Sequence, residues 1–599
     1  MVLGVDPGTL GGSRLASWTP LWILLGAFAV VLVVLHVLGT ADERWGGLRF
    51  LSRIPSGLTR VTRVPGWAAT AIGLSLFGLL VAGQGFYDDV SWHIALGRDD
   101  SLFTAPHTSI LVGLVCIFGA AALGTFVATM DRVEPALHVK NLRVPRALLP
   151  LWALGGAAVC GFPLDEIWHR NYGVDVTMWS PTHMLMILGA TFTGLAGWLI
   201  LARSGVKPTD GRWGRGLHVA CAALTLQGLV APQGEFTFGV PQFSQLFHPI
   251  LICMAAGMAL VLMRIVLGRG WALGITAGSW LVFGAGLLDA GKDKGSPVET
   301  RFGGIYVVSA LVVEVVAAVL GTERRLRFAL VSGLGIGTIG LAGEWAWNEG
   351  AYQRWTTNLL PEAVVLGVVA AVGAAVLGVA VARGLAAGGA KVPAAAVGAA
   401  GLACFAVLLF PMRRPTGDVT AAVHLEPGRD PGTAFVEATL TPAGAADDAY
   451  WFQVSAWQGG GLAIADMEPT GTPGVYRSEH EVPVDGHWKT LLRLHRGHEM
   501  MAVPIFLPGD PTIGKEEIPA TDRTQAFEPE RRYLLRETFA GNGWLSPLVH
   551  LGLLVAVGIW AAAFAAAVRD PDSPGDVGAP PVVGGLDLQG GVVDPVPVA

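Results

Sequence analysis

Apolar stretches of about 20 residues recur along most of this chain, and each is long enough to cross a hydrocarbon core of about 30 Å. They run from residue 18 to residue 411 and return once near residues 545–568. The chain has 599 residues, of which 52% are apolar and only 14% charged, as is typical of a protein whose main solvent is lipid. The sequence therefore predicts a polytopic α-helical membrane protein with about 13 transmembrane helices.

Basic residues are unevenly distributed between the loops. One set of alternate loops carries twenty Lys and Arg residues, and the other set carries six. Cytoplasmic loops of membrane proteins are enriched in Lys and Arg. We therefore expect a protein of the cell membrane whose first set of loops faces the cytoplasm and whose second set faces outward. The N-terminus then lies outside and the C-terminus in the cytoplasm. The net charge of −6, without a basic stripe, argues against nucleic acid as a partner. The expected partners are the lipid bilayer and a metal ion. The sequence leaves open whether other membrane subunits bind as well.

One large segment, between residues 412 and 540, is polar. Short alternating stretches separated by Gly, Pro and Asp predict strands at Phe435–Leu440, Tyr450–Trp457, His487–Leu494 and Met501–Leu507. The predicted organisation is a transmembrane domain at 1–411, an extracytoplasmic β-sandwich at 412–540, a transmembrane helix at 541–568 and a disordered cytoplasmic tail at 569–599.

An Asp-x-x-Trp-His motif followed by a second histidine occurs twice, on the side of the membrane that the loop charges place outside. The two copies are Asp89, Trp92, His93 and His107, then Asp165, Trp168, His169 and His183. The differences 165 − 89, 169 − 93 and 183 − 107 all equal 76. A constant offset of this kind indicates an internal repeat, here a duplicated helix hairpin.

The spacing within each copy suits metal ligation. Residues i and i+4 of a helix share one face, so the aspartate and first histidine of each copy point in one direction. The second histidine follows a proline suited to a first helical turn, which places it at the top of the returning helix. One carboxylate and two imidazoles suit copper, zinc or iron and leave coordination positions open. The predicted ligands are Asp89, His93 and His107, and Asp165, His169 and His183, with Asp99 and Asp175 as candidate acceptors that orient an imidazole.

Two weaker echoes of the motif occur further along the chain. Glu344, Asn348 and Glu362 keep the spacings of 4 and 14 residues with different side chains, and Glu235 with His248 forms a partial copy. They are candidates for additional ligands or for sites that have become packing positions.

The two complete copies of the Asp/His motif have other interpretations. Their polar groups could hydrogen-bond one another and cap helices near the interface, with Trp92 and Trp168 in an aromatic belt. The same Asp and His groups could relay protons or cations in a transporter. A glycosyl-transferring enzyme with outer-loop carboxylates is less favoured, because the first outer loop contains no Asp-x-Asp motif.

Two resemblances bear on the metal. The Asp-x3-His…His pattern of Asp89, His93 and His107, or of Asp165, His169 and His183, resembles the copper site in the C subunit of the particulate methane and ammonia monooxygenases. The segments Gly474–Tyr476, Pro483–Trp488 and Pro504–Pro508 resemble the YtkA/FixH-like extracytoplasmic β-domain, which is often found beside copper-handling proteins. Together they imply a membrane protein that binds copper or a similar transition metal, for metal handling or metal-dependent redox chemistry. Whether the chain is an enzyme stays open.

Overall fold

The structure is a computed structural model that describes residues 53–97, 103–173, 178–281, 304–385, 393–412, 416–511, 514–538 and 541–568, with scattered helical residues between 19 and 37. Two predicted features, the first apolar span at 18–40 and the tail at 569–599, lie largely or wholly outside these residues. Asp99 and Asp175 also lie outside them.

Helices dominate the part of the chain before residue 412. They are α1 (Arg53–Thr62), α2 (Gly66–Leu96), α3 (Ala105–Met130), α4 (Leu149–Tyr172), α5 (Pro181–Thr191), α6 (Thr193–Arg203), α7 (Gly211–Val230), α8 (Gly234–Thr237), α9 (Phe247–Leu267), α10 (Trp271–Ser279), α11 (Val307–Leu320), α12 (Arg325–Gly335), α13 (Leu341–Asn348), α14 (Leu360–Leu385) and α15 (Ala394–Leu409). A π-helical turn, Ile336–Gly340, joins α12 to α13. A short hairpin of β1 (Leu137–Val139) and β2 (Leu142–Val144) precedes α4, and α16 (Arg531–Leu534) and α17 (Leu545–Val568) follow the β domain.

Eight helical segments in the described part of the chain are long and apolar enough to cross a membrane, and the larger number expected from the sequence is not confirmed. They are Gly66–Leu96, Ala105–Met130, Arg146–Tyr172, Pro181–Arg203, Phe247–Leu267, Arg325–Asn348, Leu360–Leu385 and Leu545–Val568. Large apolar side chains on their outer faces are exposed, among them Phe77, Val115, Val365, Leu551 and Leu554. Because a water-soluble surface seldom exposes apolar side chains so densely, this surface fits contact with lipid.

Small residues let α2 and α3 approach each other closely. A Cβ atom at Gly113 would lie 2.6 Å from Cβ of Ala82 and 2.5 Å from the carbonyl oxygen of Gly78. One at Gly85 would lie 2.7 Å from the backbone nitrogen of Ile110. Any larger side chain at these glycines would push the helices apart, so they fix the hairpin geometry.

The α4–α5 hairpin packs in the same register. A Cβ atom at Gly189 would lie 2.8 Å from Cβ of Ala158 and 2.9 Å from the carbonyl oxygen of Leu154, and one at Gly161 would lie 2.7 Å from Cγ of Met186. Each residue here is numbered 76 above its counterpart in the first hairpin. The two hairpins thus place their motif residues on equivalent frameworks.

The polar segment forms a β domain, as expected. Its strands are β3 (Thr420–Pro427), β4 (Thr433–Thr441), β5 (Ala449–Trp457), β6 (Leu462–Pro469), β7 (Val475–Ser478), β8 (Val482–Pro483), β9 (Lys489–Arg496), β10 (Glu499–Phe506), β11 (Arg523–Ala526) and β12 (Glu528–Pro529). The sheet order is β11-β3-β4-β7-β6-β5-β9-β10-β12, and β8 pairs with β4.

The domain predicted as a β-sandwich has the form of a near-barrel. Strand β6 pairs with both β5 and β7, so the strands make one continuous antiparallel sheet. Its end strands β11 and β12 are separated in the chain by Phe527 alone, which brings the two ends of the sheet together. The result is a nearly closed barrel around a core that includes Val436, Val454 and Leu492.

Candidate metal centre

The first Asp/His cluster lies where α2 ends and α3 begins. Oδ1 of Asp89 is 3.0 Å from Nε2 of His107 and 3.6 Å from Nε2 of His93. One ligand atom from each of the three residues can be chosen so that all lie within 4.8 Å of one another. The three ligands predicted from the sequence therefore lie close enough together to bind one ion.

The second cluster lies at the corresponding junction of α4 and α5. Oδ2 of Asp165 is 3.1 Å from Nε2 of His169 and also 3.1 Å from Nε2 of His183. Its ligand atoms again fall within 4.8 Å of one another. A tetrahedral metal bound at about 2.1 Å separates neighbouring ligand atoms by about 3.4 Å, so the donor spacing of both clusters suits a small transition-metal ion.

A glycine that ends the helix orients the first imidazole of each cluster. Nδ1 of His93 lies 2.9 Å from the carbonyl oxygen of Gly97, and Nδ1 of His169 lies 3.1 Å from that of Gly173. Because a carbonyl oxygen only accepts, each Nδ1 must carry the hydrogen, and in the neutral ring Nε2 then bears the lone pair. A backbone carbonyl in this role is a common way to fix a metal-binding histidine.

The second imidazole of each cluster sits in a capped first turn. The hydroxyl of Thr104 accepts from the backbone N–H of His107, and the hydroxyl of Ser180 accepts from that of His183. Such caps satisfy backbone donors that a helix start leaves free. They place each histidine level with the aspartate on the preceding helix.

The arrangement can hold a cation between acceptor groups. In a neutral His169, Nε2 presents a lone pair toward the carboxylate of Asp165 at 3.1 Å, and two acceptors at that distance repel each other. A proton or a metal ion placed between them removes the repulsion. The same reasoning applies to His107 and Asp89 if the ring is neutral with its hydrogen on Nδ1. Both clusters are therefore compatible with metal binding.

The two clusters are neighbours. The ring of Phe162, on α4, lies edge-on to the ring of His107 with centroids 6.2 Å apart. This ring contact joins the hairpin of the second cluster to a ligand of the first.

The weaker echo around Glu344 does not converge on one point. Glu344 is buried and accepts from the backbone N–H groups of Ile305 and Tyr306 at 2.8 and 2.6 Å, just before α11. Oδ1 of Asn348 accepts from the backbone N–H of Trp355 at 2.7 Å. These contacts use the two side chains to hold turns, which is a packing role.

Glu362, the third member of that echo, contacts the β domain. Its carboxylate accepts from the hydroxyl of Tyr450 at 3.0 Å and lies 2.9 Å from Nε2 of His498. Burial, and then the charge of Glu362, raise the pKa of Tyr450, so this phenol keeps the proton that it donates. Glu362 therefore joins the helices to the β domain.

Glu235 and His248 are also engaged separately. Glu235 accepts from Nε1 of Trp179 at 2.9 Å and from the backbone N–H of Gln242. Nδ1 of His248 accepts from Nε1 of Trp355 at 3.1 Å. In the described part of the chain, the groups of three or more His, Cys, Asp and Glu that could hold a metal are the two full copies of the motif.

Sequence reasoning missed the carbonyl groups of Gly97 and Gly173 and the hydroxyl of Thr182. The signals were available, because each glycine follows its histidine by four residues and recurs at the offset of 76. The sequence suggests Asp99 and Asp175, two residues further on, for an orienting role, and both lie outside the described residues.

Comparison of the chain with protein-family models, curated proteins and solved structures finds no match. The class that the fold and the clusters define is a helical protein with membrane-length helices, a β-sheet domain and two Asp/His clusters compatible with metal binding.

Proposed function

We propose that this protein binds two ions of copper, or of a similar transition metal, in a membrane and uses them for metal handling or metal-dependent redox chemistry. The observation that carries the proposal is the convergence of one carboxylate and two imidazole nitrogens at the same place in two hairpins. The ligands are Asp89, His93 and His107 in the first site, and Asp165, His169 and His183 in the second.

The donor set and its surroundings favour a transition metal over a hard cation. Imidazole nitrogens suit copper, zinc and iron, whereas calcium and magnesium prefer oxygen ligands throughout. The resemblance to the monooxygenase copper site, and that of the β domain to a domain found beside copper-handling proteins, favour copper among these. Three protein ligands leave coordination positions open for water or a small ligand.

The first test of this proposal measures metal directly. The full-length protein, purified in detergent and incubated with Cu(II) or Zn(II), should retain about two ions per chain after desalting, because each cluster offers three ligands. His93→Ala should retain about one, His169→Ala about one, and the double variant none above background. Metal is measured by mass spectrometry against protein concentration.

His138→Ala is the matched control. Its imidazole also pairs with a carboxylate four residues away, with Nε2 of His138 2.9 Å from Oε1 of Glu134, but outside either cluster. It should retain as much metal as the wild type. A wild-type protein that binds no metal, or equal metal loss in His138→Ala, would contradict the proposal.

The alternative is a proton- or cation-coupled transporter, which the geometry also supports because a proton can occupy the same position between Asp165 and His169. The two functions are separable in liposomes. A wild-type protein without metal that dissipates a proton gradient, with the flux abolished in His93→Ala and His169→Ala, would support the transporter and overturn metal binding.

The proposed orientation places both sites and the β domain (412–540) outside, after a transmembrane domain (1–411) and before a returning helix (541–568) and a cytoplasmic tail (569–599). The basic loops, and the position of both clusters at helix ends that contact the β domain, support it. Thr472 lies on an exposed turn of the β domain, and Thr209 lies in an exposed loop between α6 and α7.

A cysteine at either position reports its side of the membrane. In intact cells, a membrane-impermeant maleimide should label Thr472→Cys but not Thr209→Cys, which should react only after permeabilisation. The wild type, whose cysteines all lie in apolar helices, gives the background. Labelling of Thr209→Cys alone in intact cells would reverse the orientation.

A further inference from the structure

The two clusters have the same types of ligand residue but differ at one neighbouring position. Thr182 precedes His183, and the residue numbered 76 below it is Pro106. The hydroxyl of Thr182 donates to Oδ1 of Asp165 at 2.6 Å, and its oxygen also lies 3.0 Å from the hydroxyl of Ser180. Thr182 is fully buried, so water does not compete for this hydrogen bond.

The hydrogen bond from Thr182 gives the two oxygens of the Asp165 carboxylate different partners. Oδ1 is held by the hydroxyl, and Oδ2 faces both imidazoles at an equal 3.1 Å. A carboxylate held in this way enters the coordination sphere through one fixed oxygen. The second cluster is therefore preorganised for a metal.

The first cluster lacks this restraint. Proline has neither a hydroxyl nor an N–H, so Pro106 cannot donate to Asp89. Within the described residues, Asp89 pairs with His107 at 3.0 Å and more loosely with His93 at 3.6 Å, and no hydroxyl group holds it.

One imidazole of the first cluster is also more exposed than its counterpart in the second. The side chain of His93 is 34% exposed, whereas that of its counterpart His169 is 18% exposed. A carboxylate without this hydroxyl restraint, beside a more exposed imidazole, gives a site that a metal can enter and leave more readily.

We propose that the two sites have unequal roles: the second retains its metal tightly through Thr182, and the first holds an exchangeable metal that is accessible to small ligands. Thr182 is the residue that determines this difference. The inference rests on the proposed function, because it concerns the same two sites.

The test isolates each site and changes one hydroxyl group. In the His93→Ala background only the second site remains, and Thr182→Val removes its hydroxyl at nearly constant volume. The affinity for Cu(II), measured by competition with a chelator, should fall about 10–100-fold, as is usual when a ligand loses its supporting hydrogen bond. Thr182→Ser, which keeps the hydroxyl, should bind nearly as the parent does.

A reciprocal variant guards against simple loss of folding. In the His169→Ala background only the first site remains, and Pro106→Thr introduces the missing hydroxyl. Its Cu(II) affinity should rise and its dissociation rate should fall, which damage to the fold would not produce.

The results distinguish this inference from the proposed function, metal binding at both sites. Absence of Cu(II) binding in both single-site backgrounds would overturn the proposed function. Binding in both with equal affinity, together with no effect of Thr182→Val or Pro106→Thr, would overturn the unequal roles and leave metal binding intact.

Discussion

Gly173→Ala is expected to abolish metal retention at the second site while the first site keeps its ion. Gly173 has a φ of +107°, which L-residues with a side chain rarely adopt. A Cβ atom there would meet the carbonyl oxygen of Glu537 and lie 2.7 Å from Cα of Thr538. Since these obstacles are backbone atoms, the turn itself must move.

Movement of this turn reaches the metal ligand directly. The carbonyl group of Gly173 holds Nδ1 of His169 at 3.1 Å, and the residue forms a β-bridge with Thr538. Losing both should lower the metal affinity of the second site by about 10–100-fold or more. The measurement is metal per chain after desalting, in the wild type and in the His93→Ala background.

Two other glycines with positive φ provide matched controls. Gly97 has a φ of +89°, but the nearest atoms to an added Cβ are in the side chain of Gln458 at 3.5 Å or more. Gly205 has a φ of +80° and nothing within 4 Å. Gly97→Ala should weaken the first site less than Gly173→Ala weakens the second, and Gly205→Ala should leave both sites unchanged. Equal metal loss in all three would show that backbone strain alone is responsible.

The convergence of each cluster was predictable because it follows from local rules. The spacing of four residues puts Asp89 and His93 on one helical face, and a short connection brings His107 back to the same level. Because the same spacing recurs 76 residues later, the same argument applies to the second hairpin. Apolar length likewise predicted the membrane-length helices, and alternation predicted the β domain.

The features that the sequence did not reveal depend on contacts distant in the chain. Glu362 keeps the spacing of the motif, yet its partners Tyr450 and His498 belong to the β domain. The closure of the sheet depends on β6 pairing with strands on both sides, which alternation within one strand cannot indicate. The role of Thr182 requires knowing which way a hydroxyl points.

The β domain is joined to the helix end that carries the first site. At the end of α2, the backbone N–H of Gln458 donates to the carbonyl oxygen of Ile94 at 2.8 Å, and that of Gly460 donates to Ala95 at 2.9 Å. The side-chain amide of Gln458 also donates to the carbonyl oxygen of His93 at 3.2 Å. These bonds satisfy carbonyl groups that a helix end leaves unpaired. The position of the β domain and the geometry of the first site are thus linked.

A buried ion pair forms a second link between the β domain and the helices. Arg493 and Glu530 are both 0% exposed, and Nε of Arg493 is 3.0 Å from Oε2 of Glu530. Nη2 of Arg493 donates to the carbonyl oxygen of Pro241, between α8 and α9, at 2.5 Å. The guanidinium group also lies over the ring of Trp451, 4.9 Å from its centroid. One side chain therefore ties the core of the β domain to the helices.

Arg493→Ala should destabilise the β domain by about 3–5 kcal/mol, because it leaves the fully buried Glu530 without its guanidinium partner. The free energy of opening is measured by hydrogen exchange of peptides from β9 and β10. Arg477→Ala, which breaks an exposed pair with Glu426, should cost less than about 1 kcal/mol. The double variant Arg493→Met with Glu530→Leu should cost less than Arg493→Ala alone, because neither charge of the pair is left buried without its partner. A double variant that costs the sum of its single changes would show that the buried charge is not the cause.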